Sequence, residues 1–282
     1  MSILEAILLG LVQGISEFLP ISSTAHLTLT GRMLNVIDAG KPEEWTAFIA
    51  VIQLGTLLSI LVYFYKDLVN ILTAFFTEVI GKRTKFSLLS ENSKLGWLII
   101  SGSIPIAVIG LGLKKIIEGT LTKNLWVIGT SLIVLAVILA IAEKTAKFKK
   151  EMKDITIKDA ILIGAAQSMA LIPGSSRSGT TITGGLFCGL KRETAARFSF
   201  LLSIPAVFAS GLLELKESIK FMNHDLMTAM IIATVVSGIS GYIAIDFLLK
   251  FLKKNTTFAF IIYRIVIGIV ILSLLYTNII QK

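Results

Sequence analysis

Residues 13–27, QGISEFLPISSTAHL, place an amide (Gln13), a carboxylate (Glu17), two serines (Ser22, Ser23) and a histidine (His26) inside strongly apolar sequence. An ionisable group at membrane depth is disfavoured by at least ~2.5–3.5 kcal/mol, so it persists chiefly where it serves a site. Glu17 can bind a divalent cation or accept a proton. His26 can act as nucleophile, general base or general acid near neutral pH. A second polar stretch, SSRSGTT at 175–181, adds a fixed cation in Arg177, whose planar fork suits phosphate oxygens. Around it Ser175, Ser176, Ser178, Thr180 and Thr181 supply hydroxyls, and Gly179 lets the backbone come close to an anion. Phosphoryl transfer uses these parts: a metal and an arginine to neutralise the phosphoryl oxygens, and a positioned side chain or water to attack in line.

The elements that must hold these residues are repeated. AILLGLVQ (6–13) returns as AILIGAAQ (160–167), and, with a one-residue gap, LPISS (19–23) returns as IPGSS (172–176). Each copy reads as a broken helix. Pro20 should end the first helix, since proline removes an amide and disfavours helical geometry in the residue before it. Ser22 or Ser23 then stands where a new helix over 24–34 needs its N-cap. In the second copy the break falls at Pro173–Gly174, and Ser175 or Ser176 caps a helix running to about Leu190. Two helix starts would aim backbone amides and positive dipole ends at one point, and such a point binds anions. Gln13 and Glu17, four apart, share the helical face that looks into the break.

Composition fixes the setting. With 54% hydrophobic residues, 16% charged residues and a mean hydropathy of +0.83, the chain reads as an all-α integral membrane protein. Apolar runs near ~20 residues mark about six transmembrane helices, at 45–65, 95–113, 125–142, 198–213, 226–249 and 258–276. A segment of ~10 residues cannot cross ~30 Å of hydrocarbon, so each broken helix is expected as a re-entrant hairpin. The net charge of +9 sits in short loops between spans, which speaks for positive-inside topology and anionic lipid and against nucleic acid. The basic loops at 81–94 and 143–158 are then cytoplasmic, 191–197 reads as a further basic loop, and Lys114, Lys115 and Lys123 weaken the asymmetry. This count gives one membrane domain over 1–282, built from inverted-topology repeats at 1–143 and 155–282 whose hairpins dip in from opposite faces. Gly55 is expected at a close helix contact, and Gln53 is expected to hydrogen-bond toward the site. Cys188, the only cysteine, reads as a small buried hydrophobe.

On the two motifs QGISEFLPISSTAH (13–26) and PGSSRSGTT (173–181), and on length and hydropathy along nearly the whole chain, the sequence resembles the bacterial undecaprenyl-pyrophosphate phosphatase family, also called bacitracin-resistance proteins. The resemblance implies hydrolysis of undecaprenyl pyrophosphate to undecaprenyl phosphate and inorganic phosphate, which recycles the carrier lipid for wall polymers. It also implies a divalent cation (Mg2+ or Ca2+), the bacterial cell membrane as location, and a site reached from the extracytoplasmic side. Carried over by motif, the catalytic set is Glu17, Ser23, His26, Ser176, Arg177 and Thr181. Many members have glutamate where this chain has Gln13, so that position is no obligatory anionic ligand here and metal binding falls to Glu17. The expected partners are a polyprenyl diphosphate and membrane lipids, with a homodimer left open. Inverted repeats with broken helices are also transporter architecture. A polyprenyl-phosphate flippase or small-anion carrier is therefore the rival class, and phosphate release in detergent discriminates the two.

Overall fold

The computed structural model describes residues 1–37, 42–112, 124–218 and 224–278. Residues 113–123, with Lys114, Lys115 and Lys123, lie outside them. Among the described residues the fold is all-helical: α1 (Ile3–Phe18), α2 (Ser23–Met33), α3 (Pro42–Tyr63), α4 (Tyr65–Phe75), α5 (Glu91–Gly112), α6 (Leu125–Thr145), α7 (Ile157–Ser168), α8 (Arg177–Phe187), α9 (Arg192–Ser218), α10 (His224–Lys254) and α11 (Phe258–Tyr276). Six of these, α3, α5, α6, α9, α10 and α11, are long and apolar enough to cross a membrane. The protein is thus a multi-pass membrane protein with the expected six spans.

Local chemistry accounts for the helix ends. Ser2 and Glu5 form a capping box at the start of α1, and Thr156 and Asp159 form the matching box at the start of α7. The chain leaves α1 at Leu19, one residue before Pro20, as the proline requires. The stretch 191–197 is a correction to the sequence reading: it is the first turns of α9 from Arg192 onward, not a loop. Its charges are used there. Glu193 lies in the first turn, where the helix dipole favours an anion, Arg192 Nε donates to Glu143 at 2.7 Å, and Arg197 Nη2 donates to Asp67 at 2.7 Å.

Packing repeats across the chain. α1 packs on α10 as α7 packs on α5, α3 meets α9, and α6 pairs with α11. Small residues permit the close approaches that lipid-embedded helices need. A Cβ added at Gly164 would lie 1.9 Å from the Gly102 carbonyl oxygen, and one at Gly10 would lie 2.6 Å from that of Ala233. Gly55 plays the expected part, against the Thr234 carbonyl of α10.

Ion pairs gather at one end of the bundle: Arg192–Glu143, Arg197–Asp67, Lys191–Glu151 and Lys253–Glu193. The Lys191 ammonium holds the exposed Glu151 carboxyl below its ordinary range, by hydrogen bond and then by charge. The α7–α8 pair begins and ends there, since Lys150 bridges to Leu190. The α1–α2 pair begins and ends in a separate apolar cluster of Ala6, Leu9, Leu27, Trp45, Phe48 and Met230. The largest core cluster fills the space between the breaks (Phe18, Leu19, Ile21) and the ion-paired end (Ala142, Leu190, Ala195, Leu252).

Candidate active site

Both helix breaks adopt the same unusual backbone. Ser22 has φ 78°, ψ 100° and Ser176 has φ 68°, ψ 112°, a left-handed conformation that serine seldom takes. Each side chain then caps the helix that follows, Ser22 Oγ accepting from Ala25 N and Ser176 Oγ from Gly179 N. Each cap satisfies one first-turn amide, and the others at a helix start have no intrahelical partner. Strain of this kind, of order 1–3 kcal/mol per residue, persists where surrounding structure over-determines it and clusters at functional sites.

The equivalent caps correct the alignment of the two copies. Nine residues separate Gln13 from Ser22 and Gln167 from Ser176, so the copies run on without the one-residue gap that LPISS and IPGSS invite. Ser22 matches Ser176, Ser23 matches Arg177, and Leu171 stands where the first copy has Glu17.

The structure joins these positions through one carboxylate. Glu17 Oε2 accepts from Ser23 Oγ at 2.7 Å and from Gln13 Nε2 at 2.9 Å, and Glu17 Oε1 accepts from Arg177 Nη2. The pair is largely withdrawn from solvent, with side-chain exposures of 5% for Glu17 and 16% for Arg177. Gln13, Glu17, Ser23 and Arg177 therefore form a single polar cluster spanning both breaks.

His26 sits at the same break but bonds to none of these four. Its Nδ1 lies 2.7 Å from the Ser22 carbonyl oxygen and its Nε2 lies 2.7 Å from the Tyr263 hydroxyl. A carbonyl only accepts, so Nδ1 carries the proton in the neutral ring and Nε2 keeps its lone pair. Ser23 gives its proton to Glu17, so His26 is not the base of Ser23 in this geometry.

The hydroxyls of the second motif are engaged within the protein. Ser178 Oγ donates to the Leu19 carbonyl at 3.1 Å, tying one break to the other. Thr180 and Thr181 donate to the Arg177 carbonyl at 3.0 and 2.7 Å, and Thr181 also pairs with Ser199. Ser176 Oγ, besides capping, lies 3.2 Å from Ser178 Oγ. Ser175 is fully buried, and its hydroxyl has no partner among the described residues, like Gln13 Oε1 and both polar atoms of Gln167. The half-buried Gln53 makes no hydrogen bond to the site. Cys188 is half-buried, not buried as expected, and desolvation raises its thiol to about 11. Among the described residues no group of three His, Cys, Asp or Glu gathers around a metal-sized point.

A family model described as bacitracin resistance protein BacA matches residues 6–270. The chain belongs to the BacA family. It is 54% identical to the undecaprenyl-diphosphatase of Syntrophobacter fumaroxidans over 278 residues, 99% of each chain. It is 49% identical to that of Chloroherpeton thalassium (98% of this chain, 97% of the relative) and 48% identical to that of Myxococcus xanthus (99% and 91%).

In this BacA-family chain, two residues at the breaks come from outside both motifs. Arg264 of α11 is 1% exposed, and among the described residues its guanidinium binds carbonyls alone: Leu132 at 3.3 Å, Pro20 at 3.4 Å, Gly174 at 3.5 Å and Ser175 at 2.9 Å. Pro20 and Gly174 are equivalent positions of the two breaks, so one side chain pins both. Gly179 leaves room for it, since a Cβ there would lie 2.6 Å from Arg264 Nη1. An arginine inside an apolar span is itself a signal that could have found Arg264. Tyr263 carried no such mark.

Proposed function

We propose that this chain hydrolyses undecaprenyl pyrophosphate to undecaprenyl phosphate and inorganic phosphate, releasing the carrier lipid for a further round of wall-polymer synthesis. The observation that carries the reading is the cluster itself. A buried carboxylate from the end of α1 meets a serine and an arginine from two strained helix starts, beside a histidine whose Nε2 lone pair is met by the Tyr263 hydroxyl. The diphosphate enters between the helix starts, where the free first-turn amides and Arg177 hold its oxygens. Glu17 keeps Arg177 and Ser23 in place, and Nε2 of His26 either bonds the terminal phosphorus, giving a phosphohistidine that water then hydrolyses to inorganic phosphate, or takes a proton of water that attacks the phosphorus directly. The phosphoanhydride bond breaks, and undecaprenyl phosphate leaves with the bridging oxygen.

The donor set also fits the divalent cation that the family resemblance implies. The Glu17 carboxylate and the buried, unpartnered Gln13 Oε1 are oxygen donors of the kind Mg2+ or Ca2+ accepts, and they would hold the ion together with phosphate oxygens of the substrate. When bound, it neutralises charge on those oxygens.

The setting follows the same reading: a bacterial cell membrane, inverted repeats at 1–143 and 155–282, and two re-entrant hairpins. The ion-paired, lysine-rich end faces the cytoplasm by the positive-inside rule. The large apolar cluster closes the site from that end, which supports an opening toward the extracytoplasmic side.

Phosphate release from a polyprenyl pyrophosphate by purified protein in detergent tests the proposal. Wild type should release phosphate in a chelator-sensitive way and His26→Ala should lose at least ~10²-fold in rate. No release from folded wild type supplied with substrate and metal would overturn the reading in favour of a carrier.

A further inference from the structure

The residue next to Arg264 occupies the atom on which the reaction above depends. Tyr263 stacks on His26 with ring centroids 5.6 Å apart and planes 10° from parallel, and its hydroxyl lies 2.7 Å from Nε2. The Ser22 carbonyl already holds the proton of Nδ1, so in the neutral ring Nε2 accepts and the phenol O–H donates. The lone pair that must take phosphorus or a proton is therefore covered in the free protein. Any group that Nε2 engages displaces the phenol and comes to rest within hydrogen-bond reach of the same hydroxyl, because only 2.7 Å separates the two atoms. The backbone beneath is tied down: Arg264, one residue on, is buried and bonded to carbonyls of both breaks, so Tyr263 is carried on a turn of α11 anchored at the site.

We propose that Tyr263 is a further catalytic residue of the site: it covers His26 Nε2 in the substrate-free enzyme and passes its O–H to a phosphoryl oxygen when the substrate takes that nitrogen. The inference rests on the phosphatase reading for its second half and on geometry alone for its first. It assigns α11 two adjacent tasks, holding the breaks and guarding the reactive nitrogen.

Tyr263→Phe removes only the hydroxyl and keeps the stacked ring. Tyr263 is 39% exposed, so the fold should survive the change, and thermal unfolding in detergent checks this. Two readouts follow. In the turnover assay kcat should fall by at least about tenfold while KM stays within roughly threefold, the pattern of a donor used in the transition state. In the substrate-free protein, carbethoxylation of His26 by diethyl pyrocarbonate, located by peptide mass spectrometry with His224 as internal standard, should run several times faster than in wild type. An unchanged labelling rate would overturn the covering role, and an unchanged kcat would overturn the donation to substrate. Wild type that releases no phosphate while the variant still labels faster would sink the phosphatase reading and leave the covering of His26 standing.

Discussion

The two helix breaks share a backbone and divide the chemistry. At both, a serine with φ near 70–80° caps the next helix, and one arginine binds the equivalent carbonyls of Pro20 and Gly174. Yet the first break holds Glu17, Ser23 and His26, where the second holds Leu171, Arg177 and Thr180. The same backbone at both breaks thus points two helix starts, and the differing side chains make the first break a source of reacting groups and the second a source of positive charge. Glu17 is the hinge of this arrangement, because it accepts from the matching positions Ser23 and Arg177 at once. Neither half can form that contact alone.

The comparison is broken most severely at that contact. Glu17→Ala and Arg177→Ala should each reduce phosphate release by at least ~10³-fold, since the one removes the group that orients the other. Either change leaves a buried charge unpaired and should cost about 3–5 kcal/mol of stability. The double variant should be no worse in rate than either single one, and full additivity in the turnover assay would show that the two breaks act independently. A smaller effect separates the breaks by packing. Gly179→Ala puts a methyl against the Arg264 guanidinium and should cost roughly 1–3 kcal/mol in thermal unfolding, whereas the matching position of the first break is already an alanine, Ala25. An unaffected melting temperature would mean that Arg264 is not held as described. The smallest effects test the sameness of the caps. Ser22→Ala and Ser176→Ala should each cost about 1 kcal/mol, and the glycine variants a few tenths, since glycine also relieves the positive φ. Unequal losses at the two serines, read from melting curves, would show that the shared backbone conceals unequal support.

Much of this was legible in the sequence because its causes are local or compositional. Apolar run length marks six spans, Pro20 ends α1, and polar residues in apolar sequence mark Gln13, Glu17, Ser23, His26 and Arg177 as a site. The register of the repeat was not legible. Matching LPISS to IPGSS pairs the prolines, but the chain turns at the capping serine, and identity of a short motif does not report φ. The hydroxyls of 178–181 looked like phosphate donors, yet hydroxyls inside a helix find the preceding carbonyls first: Thr180 and Thr181 donate to Arg177, and Ser178 reaches across to Leu19. The stretch 191–197 read as a loop for its charge, and its partners, Glu143 and Asp67, lie on other helices.

By itself the sequence determined the membrane setting, the two polar breaks and the types of group they carry, since hydropathy, proline stereochemistry and the cost of burying charge act within a few residues of chain. The tertiary structure alone decided which side chains meet. It brought Arg177 to Glu17, Arg264 to both breaks and Tyr263 to His26, contacts between residues 89 or more positions apart, which helix packing sets and no local pattern records.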